Sequence, residues 1–230
     1  MSTLRHSRRF WPIAGGLFAT ALSVAGPLAA QAPSPTPPPA VDAPSTTNPL
    51  QRPAPAPKNP LDRVPKTAEE KARLLNDLYA HLATAEDEAQ AKKTSERIER
   101  LWLISGSDTV NLLMERAAKA MAGKKFEQAQ KLLDQVIGLA PDFAEGFNRR
   151  AYLNFTQSKY EQAVGDLRRV LALEPNHFKA LEGLAQIWRD TGNKPGALRV
   201  MRQLMDVNPF FPGAKGVVEE LKREVEGQGI

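Results

Sequence analysis

Pro141, Pro175 and Pro209 lie 34 residues apart, and this spacing constrains the fold more than any other feature of the chain. The tripeptides before them share one grammar: Gly-Leu-Ala, Ala-Leu-Glu and Asp-Val-Asn. Twelve positions before each proline stands an alanine, Ala129, Ala163 or Ala197; eight before stands Leu133, Leu167 or Met201. Twenty-four before stands Ala117, Ala151 or Ala185. Small residues at two fixed offsets and a large apolar one at a third, in three successive windows, define an internal repeat.

Each window holds two helical patterns separated by a short polar or glycine turn: Ala122 to Lys125, Gln157 to Lys159 and Thr191 to Lys194. The alanines let two antiparallel helices approach closely and the large residue fills the space between them. Proline then closes the second helix or opens the next unit. Strand patterns are lacking, so the expected fold class is all-α.

These residues resemble the tetratricopeptide repeat family. Its pattern opens with a large residue, x2, leucine, a small residue, x2 and an aromatic, and later has alanine, x3, phenylalanine and a final proline. The three units read Leu113-x2-Arg116-Ala117-x2-Ala120, Phe147-x2-Arg150-Ala151-x2-Asn154 and Leu181-x2-Leu184-Ala185-x2-Trp188, over residues 110 to 211. Arg116 and Arg150 depart from the leucine and Asn154 from the aromatic. The resemblance implies a right-handed solenoid of helix-turn-helix units over 106–143, 144–177 and 178–211, with terminal capping helices.

The flanks read as the ends of such an array. Thr67-Ala-Glu-Glu70 is a capping-box start, and Leu74, Leu75, Leu78, Tyr79 and Leu82 recur at helical spacing. Ala91, Ile98, Leu101, Trp102 and Ile104 form a second pattern. Residues 67–105 are expected to make a degenerate helical hairpin packed under the first repeat. Val217, Val218, Leu221 and Val225 mark a solvating cap helix, followed by a tail, over 212–230.

At the amino terminus, Arg5, Arg8 and Arg9 precede an uncharged stretch from Phe10 to Ala30. This is the layout of a secretory signal over 1–30, with cleavage expected between about residues 30 and 32. An uncleaved membrane anchor and a twin-arginine signal are the alternatives. All three put the body outside the cytoplasm, with the periplasm as the expected location. Residues 31–66 hold twelve of the nineteen prolines and almost no large apolar group, so they read as a disordered spacer.

The formal charge of +5 belongs to these leading segments. Arg5, Arg8 and Arg9 contribute +3; Arg52, Lys58, Arg63 and Lys66 against Asp42 and Asp62 contribute +2. Residues 67–230 are neutral overall, which argues against a nucleic-acid partner. Cysteine is absent and the three histidines, His6, His81 and His177, are far apart. Neither thiolate nor histidine metal sites are expected, nor a catalytic triad or a cofactor, and the chain reads as a non-enzyme. His81 and His177 read as ordinary helix residues.

What remains is the face that tetratricopeptide arrays line with the first helix of each unit. The resemblance places Met114, Ala118 and Met121, then Asn148, Tyr152 and Phe155, then Glu182, Gln186 and Arg189 on it. Adaptable methionines and rigid aromatics suit a peptide or a partner helix. The terminal-carboxylate grip of some family members would fall on Met114, Ala118, Arg149, Lys179 and Gly183, of which only Lys179 fits. The expectation is an adaptor or scaffold of the cell envelope that binds a protein in this groove. The rivals are a structural protein that assembles with its own copies, and a regulatory partner of an envelope hydrolase or protease. The amino terminus could add membrane association.

Overall fold

The computed structural model describes Leu61 and residues 64–227. The signal over 1–30 and nearly all of the spacer over 31–66 lie outside the described residues. Among those described, the chain is helical throughout: α1 (Ala68–Ala83), α2 (Glu88–Trp102), α3 (Asp108–Ala122), α4 (Phe126–Leu139), α5 (Ala144–Thr156), α6 (Tyr160–Leu173), α7 (Phe178–Asp190), α8 (Lys194–Val207) and α9 (Ala214–Glu226). The pairs α3–α4, α5–α6 and α7–α8 are the three repeats, each packed on the next, and α9 closes the series against α8.

The repeated offsets are the helix contacts. Ala129, Ala163 and Ala197 are fully buried, as are Leu133 and Leu167, and Ala117, Ala151, Ala185 and Met201 are nearly so. At these positions a missing side chain lets the neighbouring backbone approach, and the large residue beside it supplies the apolar area, about 1.5–3 kcal/mol for each fully buried leucine or methionine. The turn inside each repeat also obeys the period. Lys124, Ser158 and Gly192, spaced 34 apart, all sit at positive φ (56°, 59° and 85°), although only the third is glycine. A left-handed residue there reverses the chain in one step.

Successive repeats press together at a second small position. Gly146 in α5, Ala180 in α7 and Ala214 in α9 are equivalent and all buried. A Cβ on Gly146 would meet Val136 Cγ1 of α4 at 2.9 Å. Their counterpart in α3 is Leu112, which is 47% exposed, and Glu115, Arg116 and Lys119 beside it are exposed as well. The first repeat therefore ends the solenoid with a largely polar face.

The hairpin of α1 and α2 forms where the sequence places it, with Thr67 and Asp87 as N-caps accepting from the Glu70 and Gln90 N–H groups. Its packing differs from the expectation. It does not cover α3 in the manner of a preceding repeat; it lies against repeats 2 and 3, where Trp102 stacks on His177, Ser95 meets Asn208 and α1 touches α8. The physical reason is an apolar demand at the loops between repeats. Phe143, His177 and Phe211, each two residues after its proline, need cover that the charged face of α3 does not.

Arg150 and Asn154, which depart from the family pattern, form a polar network in place of apolar packing. Arg150 donates from Nε and Nη2 to Asp166 (3.0 and 2.7 Å) and from Nη1 to Asp134 (2.8 Å), and Asn154 Nδ2 donates to Asp166 (3.2 Å). A cleft of about 440 Å³ opens beside it, lined by Gln130, Lys159, Gln162 and Gly165 as well as the network. Arg116 is exposed at the end of the array.

Candidate functional site

The inner helices α3, α5 and α7 carry the groove residues, and the structure divides them in two. Near the start of α5 and α7 the face is covered. Glu145, only 5% exposed, accepts from Arg149 Nε (2.6 Å) and Asn148 Nδ2 (2.8 Å). Burial pushes its carboxyl up, but the Arg149 guanidinium and the His177 ring more than offset this and hold it down to about 2.

His177 caps α7: its Nδ1 accepts the Ala180 N–H at 3.2 Å. A nitrogen that accepts carries no hydrogen, so the neutral ring is protonated at Nε2, which faces Glu145 Oε2 at 3.5 Å. The ring is fully buried because Trp102 lies on it, with centroids 3.7 Å apart and planes within 9°. Trp102 also touches Phe178 and donates from Nε1 to the Tyr79 hydroxyl (2.9 Å).

Charges surround this aromatic stack. Lys71 of α1 lies 5.6 Å over the Phe143 ring, and burial lowers its pKa against the opposing pull of Glu174, Glu145 and Asp142. On the other side Lys179 stands 3.9 Å from Glu99 of α2, 3.9 Å from Glu182 and 5.2 Å over the Phe211 ring. Burial raises the carboxyls of Glu99, Glu174 and Glu182, with Lys179 or His177 as the chief opposing influence.

Toward the other ends of α3, α5 and α7 the face changes character. Met114 and Met121 pack half-buried onto the core of the first repeat. Tyr152 and Phe155 are half-buried one turn apart, and the Phe155 ring lies 5.9 Å from Tyr160. Ala118 is exposed, Gln186 donates to Asp190 (2.8 Å) and Arg189 donates to Glu220 of α9 (3.3 Å).

The residues expected in one groove thus fall into a covered group, Lys179 and Glu182 with Asn148 at its border, and a second group built around Met121, Tyr152 and Phe155. Glu145, His177 and Trp102 escaped the sequence reading as site residues. The signal that points to them is the aromatic at the same offset in all three loops, Phe143, His177 and Phe211. Lys179 and Arg149, which the carboxylate grip would need free, are engaged by Glu99, Glu182 and Glu145. No three His, Asp or Glu side chains converge as a metal site among the described residues, and no described helix is long and apolar enough to cross a membrane.

Comparison with known proteins agrees with this architecture. The tetratricopeptide repeat profile matches residues 115–166 and 149–209. A TPR repeat-containing protein of Rhizobium etli is 37% identical over 153 residues, covering 66% of this chain and 75% of that protein. Human RNA polymerase II-associated protein 3 is 33% identical over 79 residues, which is 34% of this chain but 12% of that protein. Among solved structures, the first TPR of Spaghetti, bound to an HSP90 peptide, superposes with a TM-score of 0.50 at 17% identity, over 52% of this chain and 95% of that one. At that identity the likeness concerns the fold alone.

Proposed function

Because the chain belongs to the tetratricopeptide repeat family, we propose that it is a non-enzymatic adaptor or scaffold of the bacterial cell envelope that binds a peptide or helix of another protein. The observation that carries this reading is the half-buried group of Met121, Tyr152 and Phe155 on the inner helices. Aromatic rings whose rotamers are already restricted lose little entropy on binding, and methionines adapt to the partner's shape. A terminal carboxylate is not the recognised feature, since Met114, Ala118 and Gly183 offer it nothing and Lys179 and Arg149 are paired. The periplasmic location rests on Arg5, Arg8, Arg9 and the Phe10 to Ala30 stretch.

Crosslinking in intact cells identifies the partner, and pull-down with Tyr152→Ala and Phe155→Ala then tests the face. A loss of at least about 1 kcal/mol of binding by folded variants is expected. Unchanged capture by both removes this face. Amino-terminal sequencing of the mature protein tests export, and an intact Met1 would mean that the signal is not cleaved.

One observation favours self-assembly as a second reading. Among the described residues the exposed large apolar side chains are Val64, ahead of α1, and Leu103, Ile104, Leu112 and Leu139, which lie on the first repeat or the linker before it. Concentration-dependent mass that is abolished by Leu112→Glu with Leu139→Glu would establish that reading.

A further inference from the structure

The hairpin of α1 and α2 is joined to the array by Leu103–Ser107, a five-residue linker with Gly106 at φ 82°. One contact pins this linker to α1, the hydrogen bond from Lys71 Nζ to the Ile104 carbonyl (2.6 Å). Beyond it, the hairpin touches repeats 2 and 3 through recognition chemistry of the kind seen between separate proteins. A flat aromatic, Trp102, lies on His177 and against Phe178; a base, Lys71, lies over the Phe143 ring within the field of Glu174, Glu145 and Asp142; an acid, Glu99, faces Lys179.

Polar atoms are left unpaired at this interface. Asn208 Oδ1, beside Ser95, and Glu182 Oε2, beside Lys179, are buried there without a hydrogen-bond partner. Both ion pairs of Lys179 sit at 3.9 Å, beyond hydrogen-bonding distance. Apolar packing accompanies them, since Leu75, Leu78, Leu82 and Ile98 of the hairpin are buried, as Ala129, Leu133, Ala163 and Leu167 are inside the array. Desolvated polar atoms left unpaired oppose docking of the hairpin.

We propose that the surface beneath the hairpin is a helix-docking site and that α1 and α2 are its resident, exchangeable occupant. The external occupant is an amphipathic helix that presents an aromatic ring to His177, a base toward Glu145 and Glu174, and an acid toward Lys179. Its arrival swings the hairpin away about Leu103–Ser107 and uncovers the Lys179 and Glu182 end of the inner-helix face. The proposal rests on the protein-binding reading and states how access to that face is controlled.

Hydrogen exchange on the full chain reads the opening. The amides of α1 and α2 are expected to exchange together, at least tenfold faster than those of α5 to α8. The chain has no cysteine, so Ser95→Cys with Asn208→Cys, oxidised with diamide to a disulfide where Ser95 and Asn208 meet at 3.1 Å, locks the hairpin and should bring its exchange down to that of the array until the disulfide is reduced. Exchange of the unlocked hairpin at the rate of α5 to α8 would overturn the proposal.

A labelled peptide of residues 64–105 then serves as the probe for the vacated surface. Trp102→Ala and, without a cavity, Glu99→Lys should each free the site, so that the variant chains capture the peptide at least tenfold more tightly than the parent does. The locked chain should not capture it, nor should any chain capture a peptide carrying Trp102→Ala. Absence of capture by variants whose hairpin exchanges freely overturns the docking site. Self-association of the variants in place of capture overturns the external partner and assigns the surface to a second copy. No envelope partner enters these measurements, so their failure leaves the Tyr152 and Phe155 reading standing, and failure of that pull-down leaves the hairpin proposal standing.

Discussion

Trp102 of the hairpin lies flat on His177 at the start of α7, 3.7 Å from centroid to centroid, and these two residues are 75 positions apart in the chain. The stack ties the hairpin to the boundary between repeats 2 and 3. Through His177 Nδ1 it also braces the first turn of α7, and through Nε2 it adjoins the buried Glu145.

Removing the indole therefore acts on one unit. Trp102→Ala should cost the hairpin about 3–5 kcal/mol of docking, the range for a large buried aromatic that leaves a cavity. An isolated pair of helices of 16 and 15 residues is marginal in water. Urea denaturation followed by circular dichroism should thus split into two transitions, the earlier one carrying the helicity of α1 and α2. One transition shifted as a whole would mean that the hairpin and the array unfold together.

Docking should also depend on pH. Glu99, Glu174 and Glu182 have pKa values raised above the usual 4.5 by burial at this interface. The docked state therefore holds more protons than the undocked one as pH rises above about 4.5, and docking weakens through that window. Glu99 faces Lys179, Glu145, Glu96 and His177; Glu174 faces Lys71, His177 and Tyr79; Glu182 faces Lys179 and Glu99. Glu145 has the opposite sign, but the groups that lower it, Arg149 and His177, belong to the array, so its contribution, present above 4.5 and lost as pH falls toward about 2, is to the folding of the array and not to docking. Hairpin exchange, corrected for intrinsic rates, should be slower near pH 4.5 than near pH 7, and Glu99→Gln should flatten the rise.

The repeat contacts predict a contrast between equivalent positions. Gly146→Ala adds helix propensity of about 1 kcal/mol, but the new Cβ would stand 2.9 Å from Val136 Cγ1, whose residue is fully buried. Overpacking of about 1–3 kcal/mol should win, leaving a net loss of stability. Leu112→Ala, at the same position of the first repeat where nothing is stacked, should change stability by about 0.5 kcal/mol or less. Chemical denaturation of the two variants checks the sign of each.

The repeats were legible in the sequence because their packing is periodic. Ala163 and Leu167 touch the same neighbours as Ala129 and Leu133, so one contact is written three times. The turn residues were legible as a segment, but the left-handed position at Lys124 and Ser158 was hidden because neither is glycine. The hairpin itself could be read from Leu74, Leu78 and Leu82, whose spacing says that one face is buried. Spacing does not say against what, and a five-residue linker lets that face reach either α3 or the loops of repeats 2 and 3. His177 looked like an ordinary helix start, and it does cap α7; the plane of its ring, which Trp102 covers, leaves no mark in local sequence. Tyr152 and Phe155 were placed on the inner helix by repeat offset alone, while the cover over Lys179 and Glu182 comes from residues outside the repeats.

Arg150 offers the last test, since the family pattern would put leucine there. Its guanidinium holds Asp166 by two hydrogen bonds and Asp134 by a third, and Asp166 is only 8% exposed at its side chain. Arg150→Leu restores the apolar residue but leaves the Asp166 carboxylate buried with Asn154 alone, so it should destabilise by about 1–3 kcal/mol. Asp134, half exposed, can turn to water and adds little. Replacing both partners removes the stranded charge: Arg150→Leu with Asp166→Leu should recover most of the loss. Thermal or urea denaturation of the two single variants and the double variant gives the coupling. Additive losses would show that Arg150 stabilises the second repeat through its stem and not through the pair.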